Sequence, residues 1–169
     1  MGDLERILRA LEDARVRYLV VGGVAVVLHG HPRMTADLDL VVDLLPQNLE
    51  AAFAALGALG YRPRVPVTAS DLADPATRER LVAEKGMTVL SLFSPELPLT
   101  EIDVFADPPF DFDAAFARAL LADLGSFRAT VASIEDLVSM KRRAARPKDL
   151  EDVRMLLALA AERGDPADD

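Results

Sequence analysis

Two aspartates stand two residues apart in Asp37-Leu38-Asp39, and the stretch from Asp37 to Val42 alternates acid with aliphatic side chains. Such alternation is a strand pattern. On a strand, side chains at i and i+2 share a face. Asp37 and Asp39 therefore project together, while Leu38, Leu40 and Val42 project the other way, toward a core. Two carboxylates this close repel each other unless a cation neutralises them. Hard oxygen ligands suit Mg²⁺ or Mn²⁺. Taken alone, the pair fits two solvated acids on an exposed strand face equally well.

Further residues strengthen the metal reading. In Thr100-Glu101-Ile102-Asp103-Val104-Phe105, Ile102 and Val104 are the core side, so Glu101 and Asp103 face the other way. If this strand neighbours the first, Asp103 completes a set of three metal-binding acids with Asp37 and Asp39, and Glu101 competes for that place. Such a set can hold two metals that stabilise the attacking and leaving oxygens of a phosphoryl transfer. Upstream, Val20-Val21-Gly22-Gly23 leads into a helix. Glycines there let a phosphate approach the backbone, and the helix start supplies N–H donors. A plain strand-to-helix turn has the same sequence.

The elements that must position these groups can be read from periodicity. Leu4, Ile7, Leu8 and Leu11 predict a first helix from a cap at Asp3. Tyr18 to Val21 predicts a buried strand, and 23–29 a short helix. After the Asp37–Val42 strand, Pro46 opens a helix to about Leu59. A proline-bearing stretch follows, with a helix at 76–84. Met87 to Phe93 and Leu99 to Phe105 predict a hairpin of two strands. Asp111 to Leu121 predicts a helix and Phe127 to Val131 a last strand. Ser133 caps a helix to about Ala144, with Asp136 as a partial capping box. Pro147 opens a final helix to about Arg163. The expectation is an α+β fold: a mixed sheet of four to five strands flanked by helices, with two C-terminal helices. Residues 1–163 form a single domain and 164–169 a flexible tail.

Together these residues resemble the DNA polymerase β-like nucleotidyltransferase superfamily. Its signature is a strand ending in Gly-Gly or Gly-Ser, a short helix, then Asp-x-Asp. Here Gly22-Gly23 is followed by thirteen residues and then Asp37-Leu38-Asp39, with Asp103 as the later acid. The segments Arg33-Met-Thr35-Ala-Asp37-Leu-Asp39 and Ser133 to Asp152 are similar to the minimal members that include AbiEii-type toxins. The match touches residues 16–43 and 99–160, and nothing is matched at about 61–86. The resemblance implies Mg²⁺, a nucleoside triphosphate (NTP) as nucleotidyl donor, and release of pyrophosphate.

The last two helices add charged groups. Ile134, Leu137 and Val138 form an apolar stripe, and Lys141, four after Leu137, falls inside it. Its stem could be buried with the ammonium in water, or the ammonium could reach a polar cleft and bind the triphosphate, as the family lysine does. On the final helix Leu150, Val153, Leu156 and Leu157 form the stripe, with Asp149 beside it and Asp152 and Lys148 pointing further away. Asp149 could favour the helix dipole, pair with Lys141 or position the acceptor, with Asp152 in reserve. Arg33 is a candidate phosphate or acceptor contact, and Thr35 orders its loop. His29 and His31 lack the further ligands of a zinc site.

Composition narrows the classes. The absence of cysteine excludes a disulfide scaffold, a thiolate zinc site and a cysteine nucleophile. The formal net charge of −9 argues against tight non-specific nucleic-acid binding, although Lys141, Arg142, Arg143, Arg146 and Lys148 form a local basic patch. The N-terminus lacks a signal-peptide pattern and no run is long enough to span a bilayer, so a cytoplasmic location without membrane partners is expected. Expected partners are an NTP, an acceptor that is a tRNA end or a protein, and a cognate antitoxin. The competing readings are a non-catalytic nucleotide-sensing or antitoxin module on the same fold, and a small-molecule antibiotic nucleotidyltransferase.

Overall fold

The apolar runs of the sequence line up in one sheet. In a computed structural model, residues 2–164 are described; of the expected tail, all but Gly164 lies outside them. The strands are β1 (Tyr18–Val21), β2 (Leu38–Val42), β3 (Arg62–Pro63), β4 (Val89–Phe93), β5 (Ile102–Phe105), β6 (Leu120–Asp123) and β7 (Arg128–Val131). Their order across the sheet is β3-β4-β5-β2-β1-β7-β6. β1 runs antiparallel to β2 and parallel to β7, and β2 runs parallel to β5. The three outer pairs are antiparallel.

The mixed sheet and the α+β class are as expected, but the strands number seven rather than four or five. Both additions lie at the sheet edges. β3 is two residues long and sits in the proline-bearing stretch, too short for alternation to register. β6 occupies the end of the predicted 111–121 helix. That helix, α6, covers only Phe112–Ala117. The chain then turns to pair with β7 in the register Leu120↔Val131. Pairing in a short hairpin with the next strand overrides local helix preference here.

The other helices are α1 (Asp3–Asp13), α2 (Gly22–Leu28), α3 (Pro46–Ala58), α4 (Ala69–Ala73), α5 (Pro75–Lys85), α7 (Ile134–Ala144) and α8 (Pro147–Arg163). The cap of α1 is Gly2, and Asp3 is its first helical residue. The unpredicted α4 is held by a capping box between Thr68 and Asp71. α1 packs on α3 and β7, α2 on β1 and β2, and α7 on α8. Between β2 and β7, all four residues of β1 are buried. No helix among the described residues is long and apolar enough to cross a membrane.

Ser133 caps α7 by accepting from the Asp136 amide at 3.1 Å. The Asp136 carboxylate in turn accepts from Ser133 Oγ at 2.8 Å and Arg118 Nε at 2.9 Å. Helix α8 is turned about its axis relative to expectation. Its buried residues are Asp149, Asp152, Val153, Leu156 and Ala160, whereas Leu150 is 47% exposed. The predicted stripe counted apolar residues only. Asp149 and Asp152 face inward because cations on neighbouring segments meet them.

Gly22 joins β1 to α2. Its φ of +66° lies in the left-handed region. A Cβ there would also overlap the Asp39 carboxyl group, 2.7 Å from its Cγ. The G22A variant should lose at least about 2 kcal/mol of unfolding free energy, from the left-handed backbone and the collision together. G57A, in open space on α3, should be neutral or gain about 0.5–1 kcal/mol. Urea denaturation of the two variants checks the contrast.

Candidate active site

β2 and β5 bring the two acids together by register. Asp39 and Asp103 are Cα partners on neighbouring parallel strands, and both project from the face opposite buried Leu38, Leu40, Ile102 and Val104. Ser91, the partner of Asp103 on β4, donates its hydroxyl to Asp103 Oδ1 at 2.5 Å. Glu101, the competing acid, is held by Arg64 through Nε at 2.5 Å and Nη2 at 3.1 Å. This clasp depresses the Glu101 carboxyl below its ordinary range.

Asp37 sits one residue before β2 and is exposed. Among the described residues, no three His, Cys, Asp or Glu side chains gather closely enough to hold a metal by themselves. Asp39 and Asp103 form an in-register pair, and Asp37 stands one residue before the strand. Its charge still reaches Asp39. Burial first, then the charges of Asp103 and Asp37, push the Asp39 carboxyl up to about 6, against the opposing charges of Lys141 and Arg146. A carboxylate held up by its acidic neighbours is a site short of positive charge. The donor set fits a hard divalent cation held by Asp39 and Asp103, with other ligands coming from substrate, as is usual for Mg²⁺.

These acids form one wall of a cleft of about 560 Å³. Gly22, Val89 and Phe105 belong to the same wall. The facing wall is α7 and the start of α8: Leu137, Met140, Lys141, Arg143, Arg146 and Asp149. Gly23, Arg33 and Asp152 do not line it. Gly23 instead packs against the loop before β2, where a Cβ would come 2.6 Å from Thr35 Oγ1. Thr35 Oγ1 reaches the Asp37 carbonyl at 3.4 Å, in line with a loop-ordering role.

Lys141 is only 7% exposed. Its Nζ lies 2.6 Å from Asp152 Oδ2 and 3.6 Å from Asp149 Oδ1. Asp152 also takes Arg33, and Asp149 takes Arg146 Nε at 2.8 Å. Three cations thus share two buried acids. Asp149 is 3% and Asp152 5% exposed. Asp152 does not point away, as the helical wheel implied, but anchors Lys141 from behind. Burial would raise the Asp149 carboxyl, yet the Arg146 hydrogen bond and the charges of Arg146 and Lys141 outweigh it and hold it below the ordinary value. Arg143 and Arg146 line the cleft although the sequence reading had put them only in a surface patch. The available signal for Arg146 was its place three residues before Asp149, across the start of a helix. His29 is buried with Nε2 2.8 Å from the Ala132 carbonyl, a structural position.

Similarity to known proteins agrees with this architecture. Among solved structures, ANT(2'')-Ia in complex with adenylyl-2''-tobramycin superposes with a TM-score of 0.58 at 16% identity, covering 95% of this chain and 89% of that one. The lincosamide antibiotic adenylyltransferase LnuA, lincomycin-bound, gives 0.59 at 17% identity, covering 92% and 95%. An antigenic nucleotidyltransferase-like protein from Paracoccidioides brasiliensis gives 0.51 at 18%, covering 95% and 78%. At such identities the likeness is one of fold. No curated protein matches the chain in sequence. The profile of the family described as nucleotidyl transferase AbiEii toxin, type IV TA system, matches residues 6–168. The chain therefore belongs to the AbiEii nucleotidyl transferase toxin family, and it is an enzyme of the nucleotidyl-transferring class.

Proposed function

We propose that this protein transfers a nucleotidyl group from an NTP to an acceptor hydroxyl in a divalent-cation-dependent reaction, and that it is the toxin of a toxin–antitoxin pair with a cognate antitoxin as partner. The observation that carries the chemistry is the register pairing of Asp39 with Asp103 opposite a wall of cations. In the reaction the acceptor oxygen bonds to the α-phosphorus, the α–β phosphoanhydride bond breaks, and pyrophosphate leaves. When bound, Mg²⁺ or Mn²⁺ would supply neutralisation of the charge that develops in phosphoryl transfer.

The chain's own residues do the positioning. Asp39 and Asp103 hold the cation, and Asp103 accepts the hydroxyl proton. Ser91 fixes the Asp103 carboxylate by its hydrogen bond. Lys141 and Arg146 present positive charge to the triphosphate from the facing wall, each held in place by Asp149. Arg33 and Asp152 act behind Lys141 as its anchor. Gly22, in the cleft wall, lets the start of α2 lie against the Asp39 carboxyl group, and Gly23 lets it pack against Thr35. Asp37, exposed just before β2, adds its negative charge to that of Asp39. Catalysis on this plan is positioning and electrostatics. An RNA end or a protein hydroxyl is the acceptor on the toxin reading, and dependence on NTP supply places the reaction in the cytoplasm. A second reading, transfer to an antibiotic, is favoured by the fold shared with ANT(2'')-Ia and LnuA.

Incubation with α-³²P-labelled NTPs, Mg²⁺ and separate tRNA, protein and antibiotic acceptors tests both readings. Label should appear on one acceptor class. D39N and D103N should each reduce transfer by about 10²-fold or more, and K141A should act mainly through NTP binding. Absence of transfer by folded protein to every class would overturn the catalytic proposal.

The raised Asp39 carboxyl has a defined pH signature. Its folded pKa lies above the unfolded value, so the neutral form favours folding, and that advantage fades as pH rises from about 4 through about 6. At about 1.4 kcal/mol per pH unit, chelator-treated protein carries a penalty of about 2–3 kcal/mol at neutral pH. D39N should therefore be the more stable protein above about pH 6 and gain nothing near pH 3. Mg²⁺ should reverse the order at pH 7.5 by stabilising only the parent. Thermal melts across pH, with and without Mg²⁺, read both effects.

A further inference from the structure

The open face that carries Asp39 and Asp103 does not stop at the cleft. Register extends it outward to the β3 edge. Ser91 pairs with Asp103, and the Arg64 amide donates to the Ser91 carbonyl at 3.0 Å. Arg64, Ser91, Asp103 and Asp39 thus form one row across four chain segments. With strands about 4.8 Å apart, the row brings Arg64 within about 10 Å of Asp103 along the sheet. The Asp103 charge is felt at Arg64.

One step along β4, Phe93 is on the same face as Ser91, and Arg62 is its partner on β3. Both guanidiniums stand over the Phe93 ring, Arg62 at 5.5 Å and Arg64 at 5.0 Å from its centroid. Arg62 and Arg64 are exposed. The two arginines of this shelf belong to the middle stretch that the sequence motifs left without a role.

Guanidiniums stacked on an aromatic ring offer flat surface and positive charge together. That pair of properties suits an acceptor with flat rings and anionic links, since bases stack on aromatic and guanidinium planes while arginines meet phosphates. A polyamine acceptor would be repelled by the same two cations. Resting on the nucleotidyl-transfer reading of the cleft, we propose that Arg62, Phe93 and Arg64 form an acceptor-binding shelf, which seats the end of a single-stranded nucleic acid and directs its terminal hydroxyl toward Asp103. Glu101 sets the strength of the shelf, because it engages Arg64 through two hydrogen bonds.

The test is fluorescence anisotropy with a labelled short oligoadenylate RNA, without NTP. This keeps it separate from the transfer reaction. The parent should bind. R62A/R64A should weaken binding about tenfold or more and flatten the log–log salt slope by about 1.4, two phosphates at about 0.7 each. F93L should weaken binding at least about fivefold with the slope unchanged. E101Q frees Arg64 and should tighten binding several-fold, which a purely structural role for the pair would not produce. NTP affinity by calorimetry should stay at the parent value in R62A/R64A and F93L, which also reports that the cleft is intact. Parent protein that ignores the RNA, shelf variants that bind it like the parent, or displacement of the RNA by an oligoglutamate of equal charge as readily as by unlabelled oligoadenylate would each overturn the shelf. A parent that binds RNA but transfers no nucleotide leaves the shelf standing and removes the catalytic reading instead.

Discussion

Two carboxylates face each other across adjacent parallel strands at Asp39 and Asp103, and much of the surrounding structure answers their repulsion. Burial and like charge push the Asp39 carboxyl up to about 6. Such an arrangement costs free energy that folding must offset elsewhere. It persists because β2 and β5 are locked in register by apolar side chains on their other face. Leu38, Leu40, Ile102 and Val104 are all buried, and a one-residue slip would turn them outward. The core therefore sets the distance between the acids, and the acids set the demand for positive charge.

That demand is met from across the cleft. Lys141 and Arg146 both offset the Asp39 charge. A lysine as buried as Lys141 needs partners of its own, and Asp149 and Asp152 supply them from the next helix. Arg33, from the loop before β2, closes the same network onto Asp152. The loop carrying the first acids and the helices carrying the cations are thus tied together by one chain of ion pairs.

The glycine turn does more than leave room for a ligand. Gly22 has a left-handed backbone and lies against the Asp39 carboxyl group, and Gly23 lies against Thr35. Both contacts pack the start of α2 onto the strand of acids. Close approach of backbone to side chain explains why a pair of glycines, rather than one, sits at this turn.

Much of this could be read from residue order alone. Alternation in 37–42 and 100–105 marked which side chains face the core, because strand periodicity is a local property of the backbone. Pro147 and Ser133 marked helix starts for the same reason. The presence of Lys141 in an apolar stripe marked a buried stem, with its ammonium left either in water or in a polar cleft. Partnerships between distant segments were a different matter. Which of Glu101 and Asp103 would stand beside Asp39 depended on the β2–β5 register and on Arg64, which follows an edge strand two residues long and takes Glu101. The inward turn of Asp149 and Asp152 depended on cations that lie up to 119 residues away in the chain. Local pattern carries the direction of a side chain relative to its own element. It carries no information about which charge will stand opposite, and in this protein the identity of the opposing charge distinguishes the Asp39–Asp103 pair from the solvated acids that Asp37 and Asp39 could have been.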